Sequence, residues 1–427
     1  MLWAGPAFHR PYDTAVVSPF QPDADKLVAV RAAIPALQAG IYLNTGMVGP
    51  LPAESAAAMA ELAAWERDTG RGHVDSIPDV MQRMDEARAG VAAVMGTDVS
   101  SVALMHSTTD GMNAASLAVD WLPGDRVVTT AIEHPGGLGP LYALRDRGTA
   151  ALEILDVGDD GDDARTIAAF DAAITPGTRL AVLSHVAWTT GAVLPVAAIA
   201  EIAHARGALV AVDGAQAAGA IPIRFDDLDV DFYAMPAQKW LLGPEGMGAL
   251  VAGPRALERL TPAIAGWFSF ERVDGRGTAA WWPDARRFEW PMFHRPSVVG
   301  MARSIGWMSM FVGLDFVYGR GMATARRAAD RLARIPGVTV LTPTDRMATL
   351  VTFAIEGWPA ADALEELGKR TFAIARVIAG LDAIRISVGF FTSDEELERF
   401  CEGVELLAAH TPETIPPRRT LAMLGES

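Results

Sequence analysis

Ala208-Leu209-Val210-Ala211-Val212-Asp213-Gly214-Ala215-Gln216 is an apolar run that stops on a carboxylate and a glycine. Such a run reads as a strand buried on both faces, because helices cover both sides of a parallel sheet. Residues 196–206, just before it, have helical apolar spacing, and residues 232–234 form the next apolar run. The same alternation extends in both directions. Further strand-like runs lie at 102–105, 126–130, 152–155, 180–183 and 248–251. Helical stretches lie at 55–67, 79–95, 111–119, 138–147 and 164–173. Strands alternating with helices mean βαβ units, so the pattern predicts an α/β fold with a mainly parallel sheet of seven strands.

The rest of the chain divides around this core. Residues 1–40 read as an N-terminal arm with a helix at about 23–37, packing with the small domain. Residues 41–300 form the large domain. A long helix near 297–317 leads into a smaller C-terminal α+β domain at 301–410, with helices at 324–334, 360–369 and 394–409 and strands at 338–341, 349–355 and 384–388. Residues 411–427 read as a loosely held tail.

Bulk properties exclude several functions. The 427 residues carry a net charge of −16, which disfavours nucleic acid and anionic membrane as partners. The single cysteine, Cys401, excludes an internal disulfide framework and a cysteine-based zinc cluster. The acidic run at 158–164 reads as a solvated loop, so no metal site is expected. The N-terminus lacks the basic-then-apolar order of a signal peptide, and no run of eighteen apolar residues occurs; a cytoplasmic protein is expected. No GxSxG, HExxH, P-loop or dinucleotide fingerprint is present.

Lysine is scarce: only Lys26, Lys239 and Lys369 occur. Lys239 lies 26 residues after Asp213, in Ala237-Gln238-Lys239-Trp240-Leu241-Leu242-Gly243-Pro244. A lysine set between Gln238 and the apolar Trp240 and Leu241 is desolvated, and desolvation favours the neutral, nucleophilic amine. Such a lysine suits an imine (Schiff base) with pyridoxal 5′-phosphate, PLP. That cofactor also needs an acid for its pyridine nitrogen, donors for its phosphate and a flat group against its ring. Asp213 at a strand's carboxyl end is the acid, and Gln216 is placed to reach the phenolic oxygen. Ser107-Thr108-Thr109-Asp110-Gly111 opens a helix after a strand and suits a phosphate. His134, in Glu133-His134-Pro135-Gly136-Gly137, is the ring-face group. Lys239, His134 and Asp213 are thus the candidate catalytic residues.

These residues resemble the class V aminotransferase family of fold type I PLP enzymes, which includes cysteine desulfurases, isopenicillin N epimerases and cysteine/cystine C–S lyases. The resemblance spans about 42–409. It rests on the ordered set Tyr42-Leu43-Asn44-Thr45-Gly46, Thr108-Thr109-Asp110-Gly111, Glu133-His134, Ser184-His185-Val186, Asp213-Gly214-Ala215-Gln216, Lys239 and Arg385-Ile386-Ser387. Trp188-Thr189-Thr190-Gly191, Gly266-Trp267 and Arg287-Phe288-Glu289 look most like the C–S lyase branch.

The resemblance implies that Arg385 takes a substrate α-carboxylate, with Asn44, Arg376 and Trp188 also at the substrate. It implies a homodimer with shared active sites, in which Gly266-Trp267-Phe268-Ser269 brings Ser269 near the partner's phosphate. Three departures stand out. Pro236-Ala237-Gln238 replaces the usual hydroxyl residue and histidine before the lysine, so Gln238 must substitute for the imidazole. Trp188 stands where desulfurases carry an asparagine at the ring oxygen. No cysteine lies between Arg376 and Arg385. The implied reaction is α,β-elimination on a cysteine-type amino acid, giving pyruvate and ammonia; aminotransfer or epimerisation at Cα is the alternative, and a non-catalytic PLP-fold binding protein a remoter one. The role of the aromatic segment 281–295 stays open between pocket lining and interface packing.

Overall fold

A computed structural model describes residues 21–290 and 292–418. The arm before residue 21 and the end of the tail lie outside the described residues. Seven strands form the central sheet: β1 (Val102–Met105), β2 (Arg126–Thr130), β3 (Ala151–Leu155), β4 (Thr178–Ser184), β5 (Leu209–Asp213), β6 (Phe232–Pro236) and β7 (Gly248–Ala252). Their order across the sheet is β1-β7-β6-β5-β4-β2-β3. Only β7 runs against its neighbours, β1 and β6. The seven expected strands are therefore all present. The inner strands are apolar because helices on both faces leave no wet side, while the edge strand β3 is exposed or half-buried throughout.

Helix α1 (Asp23–Ala32) contributes Ala29 and Val30 to a cluster with Leu242, Trp307, Phe316 and Phe390. It therefore packs on the large domain as well as on the small one. Arg31 also pairs with Glu396. Helix α2 (Ser76–Met95) supports the sheet, while α3 (Thr108–Ala118) and α4 (Pro135–Asp146) begin at the ends of β1 and β2.

The expected single helix at 297–317 is two. Helix α5 (Arg295–Gly306) runs on as a π-helical turn, Trp307–Val312. The chain then bends by 87° into α6 (Leu314–Leu332). Gly313 sits at the bend with φ +88°, a conformation that side chains disfavour. The boundary expected at 300–301 falls inside α5, which packs on α2. Residues 324–334 are the end of α6 rather than a helix of their own.

The small domain carries an antiparallel sheet of β8 (Val338–Val340), β9 (Leu350–Ile355), β10 (Arg376–Ile378) and β11 (Ala383–Ser387), in the order β8-β9-β11-β10. Helix α7 (Asp394–Ala408) covers it. Two further strand pairings were not expected from sequence: Ile41–Tyr42 with Ala373–Ile374, and the hairpin Phe270–Val273 with Ala279–Trp281. Tail residues 411–418 are partly docked, since Ile415 packs on the small-domain core and Arg370 donates to the Pro416 carbonyl.

A buried ion pair locks the large domain. Arg88 of α2 meets Glu289 through Nε–Oε1 at 2.8 Å and Nη2–Oε2 at 2.7 Å, and Leu104 N–H of β1 donates to Oε1 at 2.8 Å. Truncating one partner strands the other charge, so Arg88→Ala should cost about 3–5 kcal/mol. Urea unfolding measures this; the apolar pair Arg88→Met with Glu289→Leu should recover most of the loss, and equal instability of the double variant would contradict it.

Candidate active site

Lys239 is held by an over-determined turn just past β6. Gly49 N–H donates to the Gln238 carbonyl at 2.6 Å, and a Cβ on Gly49 would lie 2.1 Å from the Lys239 carbonyl oxygen. Gly243 N–H returns to the Ala237 carbonyl at 2.8 Å. Leu242 sits in the left-handed region at φ 52°, and the Ser304 hydroxyl contacts the carbonyls of Leu241 and Leu242 at 2.9 and 2.6 Å. A strained non-glycine residue persists only where its surroundings fix it. Burial lowers the Lys239 pKa to about 8, against the opposing pull of Asp213.

A cavity of about 220 Å³ opens beside this turn. It is lined by Lys239, Asp213, Gln216, Gln238, His134, Trp188, Arg376, Arg385, Ser107, Thr108 and Thr109. The sheet explains the gathering: Asp213, His134 and Ser107 lie at or just beyond the carboxyl ends of β5, β2 and β1, where parallel sheets bind ligands. Asp213 Oδ1 accepts from Ala215 N–H at 2.9 Å. His134 caps α4: its Nδ1 accepts from Gly136 N–H at 3.0 Å, so the neutral ring carries its proton on Nε2. Burial, then the Lys239 charge, lowers the His134 pKa and keeps the ring neutral. Ser107 caps α3, with its hydroxyl accepting from Asp110 N–H at 3.1 Å.

Arg376 and Arg385 are directly opposed across β10 and β11. Arg385 is fully buried, and its one bond runs from Nη1 to the Trp188 carbonyl at 2.5 Å. Burial, then Arg376, pulls its pKa down to about 9. Arg376 lies over the Trp188 ring, 5.7 Å from its centroid, and the same ring meets His134 edge-on at 5.2 Å.

Two expected site residues lie outside the cavity. Ser269 is fully buried, its hydroxyl donating to the Glu289 carbonyl at 2.8 Å and accepting from Gly266 N–H at 3.1 Å. Its hydroxyl stabilises the turn within its own chain. Asn44 bridges to Ser387 beside the cavity-lining Gly46 and Met47, with Nδ2 on the Met47 sulfur at 3.5 Å.

Other contacts were not foreseen. Gln216 is clamped: Nε2 donates to the Gly46 carbonyl at 2.8 Å and Oε1 accepts from the Trp240 indole at 3.0 Å. Glu133 is buried, with Thr130 and Ser184 hydroxyls donating to it at 2.6 and 2.5 Å, and burial raises its pKa to about 7. His185 Nδ1 and the Tyr233 hydroxyl share a bond of 2.9 Å. Glu133 and His185 appeared in sequence only within motifs that did not disclose these partners.

The aminotransferase class-V family model matches residues 44–400. The chain belongs to the class V aminotransferase family. Its relatives include isopenicillin N epimerase of Streptomyces clavuligerus, 33% identical over 392 residues covering 86% of this chain and 94% of that one. A probable cysteine desulfurase of Methanothermobacter thermautotrophicus is 25% identical over 395 residues, covering 89% and 97%. Among solved structures, the cystine C–S lyase C-DES with its product cysteine persulfide has a TM-score of 0.81 at 25% identity, covering 87% and 99%. A C-DES mutant with glycine covalently linked to PLP has a TM-score of 0.82 at 26% identity, covering 88% and 98%.

This class V member is a fold type I enzyme and its cofactor is PLP. The cavity fits that group on its own evidence. Thr108 Oγ1, Gln238 Oε1, Trp188 Nε1, and Arg385 Nε and Nη2 are buried polar atoms with no protein partner. Buried polar groups are ordinarily satisfied, so four cavity residues with spare donors or acceptors mark a polar ligand's place. The start of α3, with Ser107, Thr108 and Thr109, suits the phosphate. Asp213 suits the pyridine nitrogen, His134 the ring face and Lys239 the covalent attachment.

Proposed function

We propose that the enzyme removes the Cα proton of a cysteine-type amino acid and expels sulfur from Cβ, releasing pyruvate and ammonia. One observation carries this reading: the cavity pairs a single amine base, Lys239, with carboxylate-binding arginines and contains no thiol. Cys401 is buried in α7, where burial raises its pKa to about 12, so it suits packing and not persulfide transfer. When bound, PLP supplies the electron sink that acidifies the Cα proton. Asp213 balances charge at the ring nitrogen, and His134 holds the ring in register. Arg385 grips the α-carboxylate, orienting Cα toward Lys239, which takes the proton.

Arg376 and Arg385 have no carboxylate partner among the ion pairs of the described residues, so two anionic groups on the substrate suit the cavity better than one. Cystine has two carboxylates. Pyruvate release from L-cystine and S-alkyl cysteines tests the reading, and absence of pyruvate from all of them rejects it. Arg376→Ala should raise KM for cystine about tenfold while changing KM for S-methylcysteine little; equal effects on both would remove Arg376 from the distal site.

Epimerisation is the second reading, supported by the epimerase relative at 33% identity. It uses the same Cα proton and leaves Cβ intact. Deuterium uptake at Cα from heavy water without pyruvate would select it.

The homodimer belongs to this proposal. Trp267, Met292, Met310 and Phe311 are exposed apolar side chains, and such surface suits a partner subunit. Sedimentation should give the mass of two chains, and a monomer at micromolar concentration would contradict this. A cytoplasmic setting is proposed with it.

The Lys239 pKa gives a further expectation. The amine is charged below about pH 8 and neutral above it. Only the neutral form attacks an aldehyde, so PLP uptake by apo-enzyme should accelerate up to about pH 8 and then level. An increase continuing past pH 10, as for an ordinary lysine, would contradict the buried environment.

A further inference from the structure

The segment after β4 is gripped by the small domain. The consecutive carbonyls of Trp188, Thr189, Thr190 and Gly191 each accept from a different small-domain group. Arg385 Nη1 donates to the Trp188 carbonyl at 2.5 Å and the Thr352 hydroxyl to that of Thr189 at 2.6 Å. The Thr342 hydroxyl donates to the Thr190 carbonyl at 2.6 Å and Ala348 N–H to that of Gly191 at 3.1 Å. The Thr342 hydroxyl also accepts from Thr352 N–H at 2.8 Å, which joins the middle rungs of this ladder.

Thr352 and Arg385 stand directly opposite each other on β9 and β11. Their neighbours Val351, Phe353, Ile384 and Ile386 point into the small-domain core, so strand alternation turns Thr352 and Arg385 together toward the large domain. Both are fully buried. Arg385 spends Nη1 on the Trp188 carbonyl. Its Nε and Nη2 share one edge of the guanidinium and have no partner among the described residues. A carboxylate takes such an edge with two parallel bonds. Where that edge points depends on where Nη1 is anchored. The anchor is the Trp188 carbonyl, one residue from the carbonyl that Thr352 holds.

We propose that Thr352 is a positioning residue for Arg385: its hydroxyl fixes the peptide joining Trp188 and Thr189, so that Nε and Nη2 face a substrate carboxylate. The proposal rests on the reading of Arg385 as the carboxylate-binding group and is independent of what happens at Cβ. Lys239 belongs to the large domain and Arg385 to the small one. The same bonds therefore set the span between the groups that take the amine and carboxylate ends of an amino acid.

The test compares two probes, glycine and methylamine, titrated into the PLP-loaded enzyme and followed by its visible absorbance. The probes differ by the carboxylate alone. Thr352→Val keeps the β-branched shape and removes the hydroxyl. Its Kd for glycine should rise about tenfold, the scale of one buried group left unpaired, while its Kd for methylamine stays within about twofold. Thr352→Ser restores the hydroxyl and should bring glycine binding back near wild type. A general loosening of the fold would weaken both probes alike. In an Arg385→Ala background, Thr352→Val should add nothing, since the two residues act through one interaction. An unchanged glycine Kd in Arg385→Ala would reject Arg385 as the carboxylate-binding group, and the proposal with it. Weakened glycine binding in Arg385→Ala but not in Thr352→Val would overturn the proposal alone, as would equal weakening of both probes or additive losses. Should Thr352→Val not fold, Thr342→Val removes the neighbouring rung and the acceptor of Thr352 N–H. Its glycine Kd should rise about threefold with methylamine unmoved, and an unmoved glycine Kd would overturn the proposal.

Discussion

Lys239→Ala is expected to lower turnover by at least about 10⁴-fold. The substitution removes two functions at once. The amine is the proposed covalent anchor for PLP and, among the described residues, the one amine base lining the cavity. General-base catalysis alone is worth about 10²–10⁴, and loss of the nucleophilic attachment adds to it. Lys239→Arg should be equally inactive, because a guanidinium keeps the charge and cannot form an imine. The fold should survive. Burial already lowers the pKa of this amine, so charge there opposes folding, and alanine relieves it. Circular dichroism unchanged from wild type, with turnover gone, is the expected pair of results. Residual turnover above a few per cent would place the base elsewhere.

Asp213→Asn should cost about 10²–10³ in kcat, the usual scale for removing one preorganised electrostatic group. Asparagine keeps the acceptor that holds Ala215 N–H and keeps the shape of the side chain. It loses only the charge proposed to balance the ring nitrogen. A second effect follows in the apo-enzyme. Asp213 pulls the Lys239 pKa upward against desolvation, so its neutralisation lets that pKa fall further. The midpoint of the pH dependence of PLP uptake should move to lower pH in the variant. A variant with slow turnover but an unmoved midpoint would separate Asp213 from Lys239 and contradict the geometry of the cavity.

The sheet was legible because most of its strands are buried. Runs such as Leu209–Asp213 and Gly248–Ala252 have no wet face, so each reads as a continuous apolar stretch between turn residues. Strand β10 was not legible. It is three residues long, and two of them are only partly buried. The bend at Gly313 was missed because the apolar spacing runs through it, and α6 tolerates Gly319 and Gly321 in its interior. At the site, Lys239, Asp213 and His134 could be found because each lies at or just past a strand end beside turn residues. The clamp on Gln216 could not, since Trp240 and Gly46 approach it only in the folded chain. Ser269 shows the same limit, since its bonds to Glu289 and Gly266 form only in the folded chain.

Everything proposed for the site depends on Lys239 being the residue that holds PLP. Borohydride reduction of the holoenzyme fixes the cofactor to its lysine, and peptide mass mapping then locates it. The chain has only three lysines, so the outcome is unambiguous. The reduced cofactor should be found on the peptide containing Lys239 and absent from those containing Lys26 and Lys369. Label on either of those two, or no label on Lys239 in a PLP-saturated sample, would contradict the account.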